Sequence, residues 1–511
     1  MRGAVVMLVT LLALASSAAA GPHYAPLCAD RSCPGRALAD DTGAVIRTAT
    51  PSGLGAADIQ AMFDIDATRG SGTTVTVVDA YGYTELESDL AIYRAQYGLP
   101  ACTVASGCLT ILNNFGSSSP LDPDSDQGWI TETALDVDMV SAACPLCNIT
   151  VVQASSNGIG LFYAQQIAAK LDVDAISDSW SADETDDVLA LDGSFDLAGV
   201  GVFAATGDDG YNGASPQYPS TSSYVIAVGG VQAGSAGPVA WPDAGSSCSQ
   251  NIAKPGYEPA TTTCPARAAA DISALAQDVA SYVALQGGWA QLSGTSAATP
   301  IATAVFAGAG HPDAGGAFVY QHIDAFTDIT SGSNGSCGTA MCDAGAGWDG
   351  PTGIGIPDQQ KLAAIGGVAG SGPAIAISYP TATDALQPGF GIQVAPDATA
   401  VWVDVRIDGA RLGRLNAAPW TIQSNPNMAT GAHTITAIAY DIDHNSQMAM
   451  VAIELDGSGS DAKSGGGGCS ASGAGGGSGA AGALALALVG LARGSRRARA
   501  ARGPRAAARA R

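Results

Sequence analysis

Residues 291–300 read QLSGTSAATP, and the serine inside this run sets the first question about the chain. Ser296 stands between Thr295 and Ala297, with Gly294 ahead of it and Pro300 behind. Small residues around a hydroxyl leave room for a substrate backbone, so Ser296 reads as a nucleophile. Such a serine needs a base, and histidine is the usual one. The chain has five histidines, His23, His311, His322, His433 and His444, and none lies between residues 24 and 310. A carboxylate must therefore be sought.

ITETALDVDMVSAAC (130–144) supplies the first candidates. It reads as a helix, in which Glu132 and Asp136 are four apart and share a face. Two such carboxylates repel when both are charged, so one pKa rises and the pair holds a proton. That arrangement makes Glu132 a base for Ser296; the bland alternative is an ordinary solvated acidic face. Asp138, two residues past Asp136, points elsewhere. AATGDDG (204–210) is a second acidic candidate, in which Asp208 or Asp209 follows a buried strand. Function often sits at that end of a sheet, although a plain turn has the same composition.

The surrounding pattern is α/β. TTVTVVDA (73–80), NITVVQAS (148–155), DAISDSW, GVFAATGDDG and YVIAVGG are compact apolar runs, with helical stretches such as LESDLAIYRAQYG (86–98) and FYAQQIAAKL between them. Runs without alternation fit a parallel sheet covered on both faces. A further helix is expected over 300–310, with Pro300 at its start. Residues 21–50 read as irregular and bridged. Beyond about residue 365 the period changes to two. AVWVDVRIDG (400–409), AHTITAIAYDID (432–443) and AMVAIELDG alternate, which predicts a small antiparallel β-sandwich over 372–457. His433 in that module reads as structural.

Composition narrows the class. The chain has 511 residues, more than one core normally spans, with 22 basic against 46 acidic residues. Eight of the arginines lie in 493–511, so the body is more acidic still and should repel nucleic acid. Its self-repulsion falls in acid. The start, MRGAVVMLVTLLALASSAAAGPHY, reads as a secretory signal cut near Ala20. Export permits disulfides. Ten of the eleven cysteines form close sequence pairs: Cys28/Cys33, Cys102/Cys108, Cys144/Cys147, Cys248/Cys264 and Cys337/Cys342. Local bridges are the simplest proposal, though spacing does not fix connectivity. CPLC is open to a redox reading or a structural one, and zinc is disfavoured for want of a second ligand cluster.

Taken together, these motifs resemble the sedolisin family, serine-carboxyl peptidases with a subtilisin-like fold. SGTSAATP is similar to that family's nucleophile signature, GWITETALDVD to its acidic helix and ATGDDG to its S-G-D-x-G element. YPSTSSYVIAVGG, VTVVDAYG and YRAQYGLPAC also match, so the likeness covers about 59–365. The resemblance implies an α/β fold with a subtilisin-like parallel sheet flanked by helices. It implies Ser296 as nucleophile, Glu132 as general base, Asp136 as the acid behind it and Asp208 at the oxyanion. A charged Asp208 would repel an oxyanion, so it must be protonated, which argues for acid chemistry. Protein or peptide substrates and a monomer are expected.

The resemblance also implies a Ca²⁺ site, in which Asp328 of FTDITSG (326–332) and Asp349 of GAGWDG (345–350) give carboxylates and Ile329, Gly345 and Gly347 give carbonyls. Two departures stand out. SDSWS (177–181) has Ser181 where the family has glycine. Family members also carry a long N-terminal prodomain, whereas only the short segment 21–58 precedes the catalytic body here.

VDVRIDG and the run around AHTITAIAYD resemble immunoglobulin-like modules of secreted bacterial enzymes. Residues 458–479 are a Gly/Ser-rich linker that carries the odd Cys469. ALALALVGLA and its arginine-rich end, within 480–511, resemble myxobacterial sorting tails. That apolar run is too short to span a bilayer, so any membrane or cell-surface attachment would be transient or processed. Three other readings fit the motifs less well. A plain subtilisin fails on histidine. An α/β-hydrolase esterase fails on G-x-S-x-G. A dead peptidase scaffold acting in binding is opposed by the intact set of four site residues.

Overall fold

A computed structural model describes residues 22–28, 33–123, 127–171, 173–197, 199–213, 215–365, 372–441 and 445–455. The signal-like start and the linker and tail beyond 457 lie outside the described residues.

The centre is a parallel sheet, as the unbroken apolar runs predict. From one edge its strands are Leu109–Asn113, Asn148–Ala154, Thr74–Ala80, Ala175–Asp178, Gly201–Ala205 and Ile226–Gln232. Ile272–Leu275 continues it in parallel, and Val239–Ala240 pairs antiparallel at that edge. The first six strands meet only parallel neighbours within this series.

Two buried helices pack together and carry the candidate site, Gly128–Ala143 and Thr295–Ala309. The second is mostly Ala, Thr and Gly, so its backbone approaches the first closely. It begins five residues earlier than Pro300 predicts, and Pro300 sits inside it. Proline has no N–H, so the Ser296 carbonyl loses its usual helical donor. Ser179 Oγ donates to that carbonyl instead, at 3.4 Å. A tertiary contact therefore lets the helix run through a residue that sequence rules place at its start.

The described residues of 22–28 and 33–50 are more ordered than expected. His23–Pro26 pairs with Arg36–Ala39, and Arg36–Ala39 pairs with Gly288–Ser293, the strand that leads into the helix of Ser296. Arg47–Thr48 and Val279–Val283 pair with that strand too. The five local disulfides are all formed.

The β-rich module holds two antiparallel sheets, one of Ile375–Tyr379, Gly391–Pro396 and Thr421–Gln423, the other of Ala410–Leu415, Trp402–Ile407, Gly431–Tyr440 and Ser446–Leu455. Their inward residues, Ile392, Val394, Val403, Val405, Ile435 and Ile453 among them, form one core. Arg411 Nη1 reaches Asp174 Oδ1 at 2.6 Å, and Arg414 donates to the Gly199 carbonyl, fastening the module to the body. His433 bonds Asp408 Oδ2 at 2.6 Å and the Ala429 carbonyl at 2.9 Å, a local clamp within this module.

A buried ion cluster braces the far edge of the parallel sheet. Arg267 pairs with Glu258 at 2.8 Å and Asp271 at 2.6 Å, all three side chains with no exposure. Asp271 Oδ2 also accepts the Ala227 amide at 2.7 Å. Removing the guanidinium leaves two buried acids without their cation, at a cost of ~3–5 kcal/mol. Arg267→Met should lower the urea midpoint accordingly; a change below ~1 kcal/mol would contradict this reading.

Candidate active site

The helix Gly128–Ala143 is buried along its whole length, acids included. The solvated-face alternative for Glu132 and Asp136 is thereby ruled out, since both have no exposed surface. Burial pushes the Glu132 carboxyl well above its usual range; the Ser296 hydroxyl favours its ionised form, while the charges of Asp79 and Asp208 oppose it. Asp136 is raised likewise, by burial first, then by Asp79 and Glu132, with the Ser179 hydroxyl acting the other way. Neither carboxyl completes a hydrogen bond of ordinary geometry with a described residue, and nor does Ser296 Oγ. Catalytic hydrogen bonds are often loose until substrate is bound. Asp138 points away, accepting from Ser281 Oγ at 2.8 Å and Tyr282 N at 3.1 Å.

Ser296 is in the first turn of its helix, with no exposed surface. The turn is entered through Gly294 at φ 150°, a conformation that excludes other residues. A Cβ there would sit 2.8 Å from Asp208 Oδ2 and 3.0 Å from Ser296 Oγ, so the carboxyl and the hydroxyl border one small space. Asp208 Oδ1 accepts the Thr295 amide at 2.8 Å and its hydroxyl at 2.9 Å. Its other oxygen, Oδ2, has no hydrogen-bond partner among the described residues. Burial pushes the Asp208 carboxyl up to about 8, against the pull of Thr295 and Arg36. Between the two aspartates of GDDG, the geometry selects Asp208; the Asp209 side chain is 52% exposed.

Sequence reasoning missed two members of this cluster. Asp79 is next to last in the strand Thr74–Ala80, and burial raises it to about 7. Asp178 ends Ala175–Asp178, accepts Trp180 Nε1 at 3.2 Å and is raised by burial. The only signal was position: each is an acid at or next to the end of a buried apolar strand. Ser181 lines a cavity of about 350 Å³ together with Arg36, Asp183, Asp208, Asp209 and Gln217. His311 is far from this chemistry by bonding, its Nε2 meeting the carbonyls of Leu362 at 2.9 Å and Ile365 at 3.1 Å.

The comparisons agree with this geometry. A match to the subtilase family spans residues 124–311. Kumamolisin of Bacillus sp. (strain MN-32) is 28% identical over 344 residues, 57% of this chain and 60% of that protein. Tripeptidyl-peptidase sed4 of Aspergillus fumigatus is 26% identical over 369 residues, 54% of this chain and 59% of that one. The solved structure of Pseudomonas sedolisin, a serine-carboxyl proteinase, overlays with a TM-score of 0.54 at 25% identity, covering 62% of this chain and 98% of the other. The chain is similar to sedolisin-type serine-carboxyl peptidases and shares their subtilisin-like fold. It spans about three fifths of the length of the first two relatives.

One expectation drawn from the sedolisin resemblance fails. Among the described residues no group of three or more His, Cys, Asp or Glu side chains is placed to hold a metal ion, which overturns the Ca²⁺ site at Asp328, Ile329, Gly345, Gly347 and Asp349. The two loops tie themselves together through amides. Asp328 Oδ2 accepts Gly347 N at 2.8 Å and Asp349 Oδ2 accepts Gly345 N at 3.0 Å. Asp349 Oδ1 takes Thr352 N at 3.0 Å and Thr352 Oγ1 at 2.8 Å. The glycines thus offer N–H groups to the carboxylates, and burial raises Asp349 to about 6.

The raised carboxyls carry a stability consequence. A carboxyl whose folded pKa lies above its unfolded value near 4 binds more protons in the folded state between the two, so stability falls as pH rises through that window. For Asp79 the window runs to about 7 and for Asp208 to about 8. Thermal melts should show the melting temperature falling by ~5 °C or more from pH 4 to pH 8. The acidic net charge gives the same sign, so Asp79→Asn is the control: its fall should be shallower, and an identical fall would contradict this account.

Proposed function

We propose that this chain is an exported serine-carboxyl endopeptidase that hydrolyses peptide bonds of proteins or peptides under acidic conditions. The observation that carries the reading is the burial of Glu132 and Asp136 on the helix packed against Ser296, with Asp208 Oδ2 bordering the same space as Ser296 Oγ.

Ser296 Oγ attacks the scissile carbonyl. Glu132 takes its proton as general base. Burial and mutual repulsion keep one proton on the Glu132/Asp136 pair, so Glu132 passes that proton to Asp136 as it accepts the serine's. The same proton returns through Glu132 to the leaving amine. Asp208, neutral below about 8, donates from Oδ2 to the developing oxyanion. The Ser296 amide, one of the first-turn N–H groups, is a second donor. Asp79 adds a further proton store beside the pair. Water then repeats the sequence to release the acyl half.

The signal-like start supports export. The Ig-like reading of 372–457 and the sorting-tail reading of 480–511 rest on sequence pattern and point to secretion or a cell-surface end-state. Among the described residues no helix is long and apolar enough to cross a membrane. We take the working form to be a monomer.

Substitutions separate the roles. At pH 5, kcat/KM on a peptide substrate should fall at least ~10³-fold in Ser296→Ala and in Glu132→Ala. Asp208→Ala should lose ~10²–10³-fold, chiefly in kcat, because one oxyanion donor is gone. Asp208→Asn keeps an N–H donor and should retain more activity than Asp208→Ala. Full activity in Glu132→Ala or Asp208→Ala would end this assignment.

A further inference from the structure

The helix that carries Ser296 depends on a hydroxyl from outside itself. Within a helix, the carbonyl of one residue accepts the amide four residues on. For Ser296 that residue is Pro300, which has no amide to give. Ser179 Oγ, with no exposed surface, stands 3.4 Å from the orphaned carbonyl. The same hydroxyl lies at the acid pair. Ser177 is opposite Val77 in parallel register, and Asp79 and Ser179 each follow two residues on. Val77 shares a core with Leu135, Val137, Ala298 and Ala302 of the two site helices, whereas Val78 packs in the other core with Trp180. Alternation along the strand therefore turns Asp79 to the helix side, the side on which Ser179 reaches Ser296. From there the Ser179 hydroxyl also acts on the Asp136 carboxyl and favours its ionised form.

A hydroxyl has one proton to donate and lone pairs with which to accept. Ser179 cannot donate to the Ser296 carbonyl and to Asp136 at once. While Asp136 is ionised, its carboxylate is the stronger acceptor and takes the proton. Once Asp136 is protonated, the Ser296 carbonyl takes it, and Ser179 accepts from the new acid. The charged groups acting on Asp136 are Glu132 on its own helix and Asp79 and Asp178 from the sheet. The helix Thr295–Ala309 carries no acid or base. On the other sides of the acidic helix, Asp89 and Arg94 of Leu86–Gln96 act on Asp138, and Asp58 of Ala56–Met62 accepts the Gly55 amide at 2.9 Å.

We propose that Ser179 is a positioning residue whose hydroxyl turns from Asp136 to the Ser296 carbonyl as the shared proton moves onto Asp136. This inference rests on the peptidase reading above, in which Asp136 is ionised before attack and neutral in the tetrahedral intermediate. No proton leaves Ser179 and no covalent bond changes there; the O–H rotates about its own C–O bond. The main chain of Ser296 is thereby held most firmly at the stage when its Oγ is bonded to the substrate carbon. Before attack, the same hydroxyl keeps Asp136 ionised and ready to receive the proton from Glu132. Pro300 and Ser179 act as a pair: the proline removes a fixed donor, and the serine supplies one that answers to the protonation of Asp136.

The test measures kcat and KM for a peptide across the pH range, using the full chain with Ser179→Ala, Ser179→Thr, Pro300→Ala and the double change Ser179→Ala/Pro300→Ala. Ser179→Ala should lower kcat at least ~10-fold with KM within ~2-fold. It should also move the acid limb of the profile up by ~0.5 pH or more, because Asp136 without its donor holds a proton more tightly. Ser179→Thr keeps the hydroxyl and should restore both. Pro300→Ala gives the Ser296 carbonyl a helical amide, so in that background Ser179→Ala should cost kcat no more than ~3-fold while the acid limb still moves. If Ser179→Ala does not fold, Ser179→Cys, a weaker donor of similar size, should show the same two changes in smaller degree. An unmoved acid limb, or an equal loss of kcat with and without Pro300, makes Ser179 merely structural and overturns the proposal while the peptidase reading stands. Wild-type kcat and profile in Ser179→Ala, or in Ser179→Cys where that is the variant that folds, overturn it too. If wild type neither cleaves nor takes a fluorophosphonate label on Ser296, the peptidase reading falls and the role of Ser179 with it.

Discussion

Four carboxyl groups, Asp79, Glu132, Asp136 and Asp178, share one buried region in which no lysine or arginine is among the groups acting on them. They cannot all be ionised there, because the cost of burying like charges far exceeds what hydroxyls and one indole N–H return. Protons are therefore part of the folded structure. From that constraint comes a proton-holding pair of carboxyls, Glu132 and Asp136, on the helix packed against that of Ser296. Two architectural features maintain the constraint. The small-residue helix Thr295–Ala309 brings Ser296 against the acidic helix, and the tight turn through Gly294 brings Asp208 to the same point.

Asp208 shows how one residue serves both fold and site. Its Oδ1 holds the first amide and the hydroxyl of Thr295, so it anchors the start of the helix that carries Ser296. A helix start favours negative charge, yet burial wins and keeps the group protonated to about 8. The neutral acid can then donate from Oδ2 while accepting at Oδ1. The N-terminal hairpin completes the enclosure. It contributes a strand beside Gly288–Ser293, next to Ser296, which has no exposed surface.

Much of this was legible in the sequence where local pattern and chemistry coincide. Apolar runs without alternation announced the parallel sheet, and alternation announced the antiparallel module. The histidine-free interval turned attention from a familiar triad to Glu132 and Asp136, whose spacing on a helix is a local property. What was not legible depended on contacts distant in the chain. The helix passes through Pro300 because Ser179, more than a hundred residues earlier, supplies the missing donor. Asp79 and Asp178 gain meaning only where neighbouring strands end together above the acidic helix. Residues 23–28 and 33–39 look irregular alone, because part of their pairing, Arg36 with Ser293 and Ala37 with Leu292, is to residues far along the chain. The calcium expectation failed for a related reason: Asp328 and Asp349 have the right side chains, but their oxygens are engaged by backbone amides.

The most direct measurement of the central claim is the pH dependence of kcat/KM for the full chain at constant ionic strength. The account predicts a maximum below pH 7, an alkaline fall as Asp208 loses its proton, and an acid fall as the Glu132/Asp136 pair takes a second one. A maximum near pH 8 would contradict it.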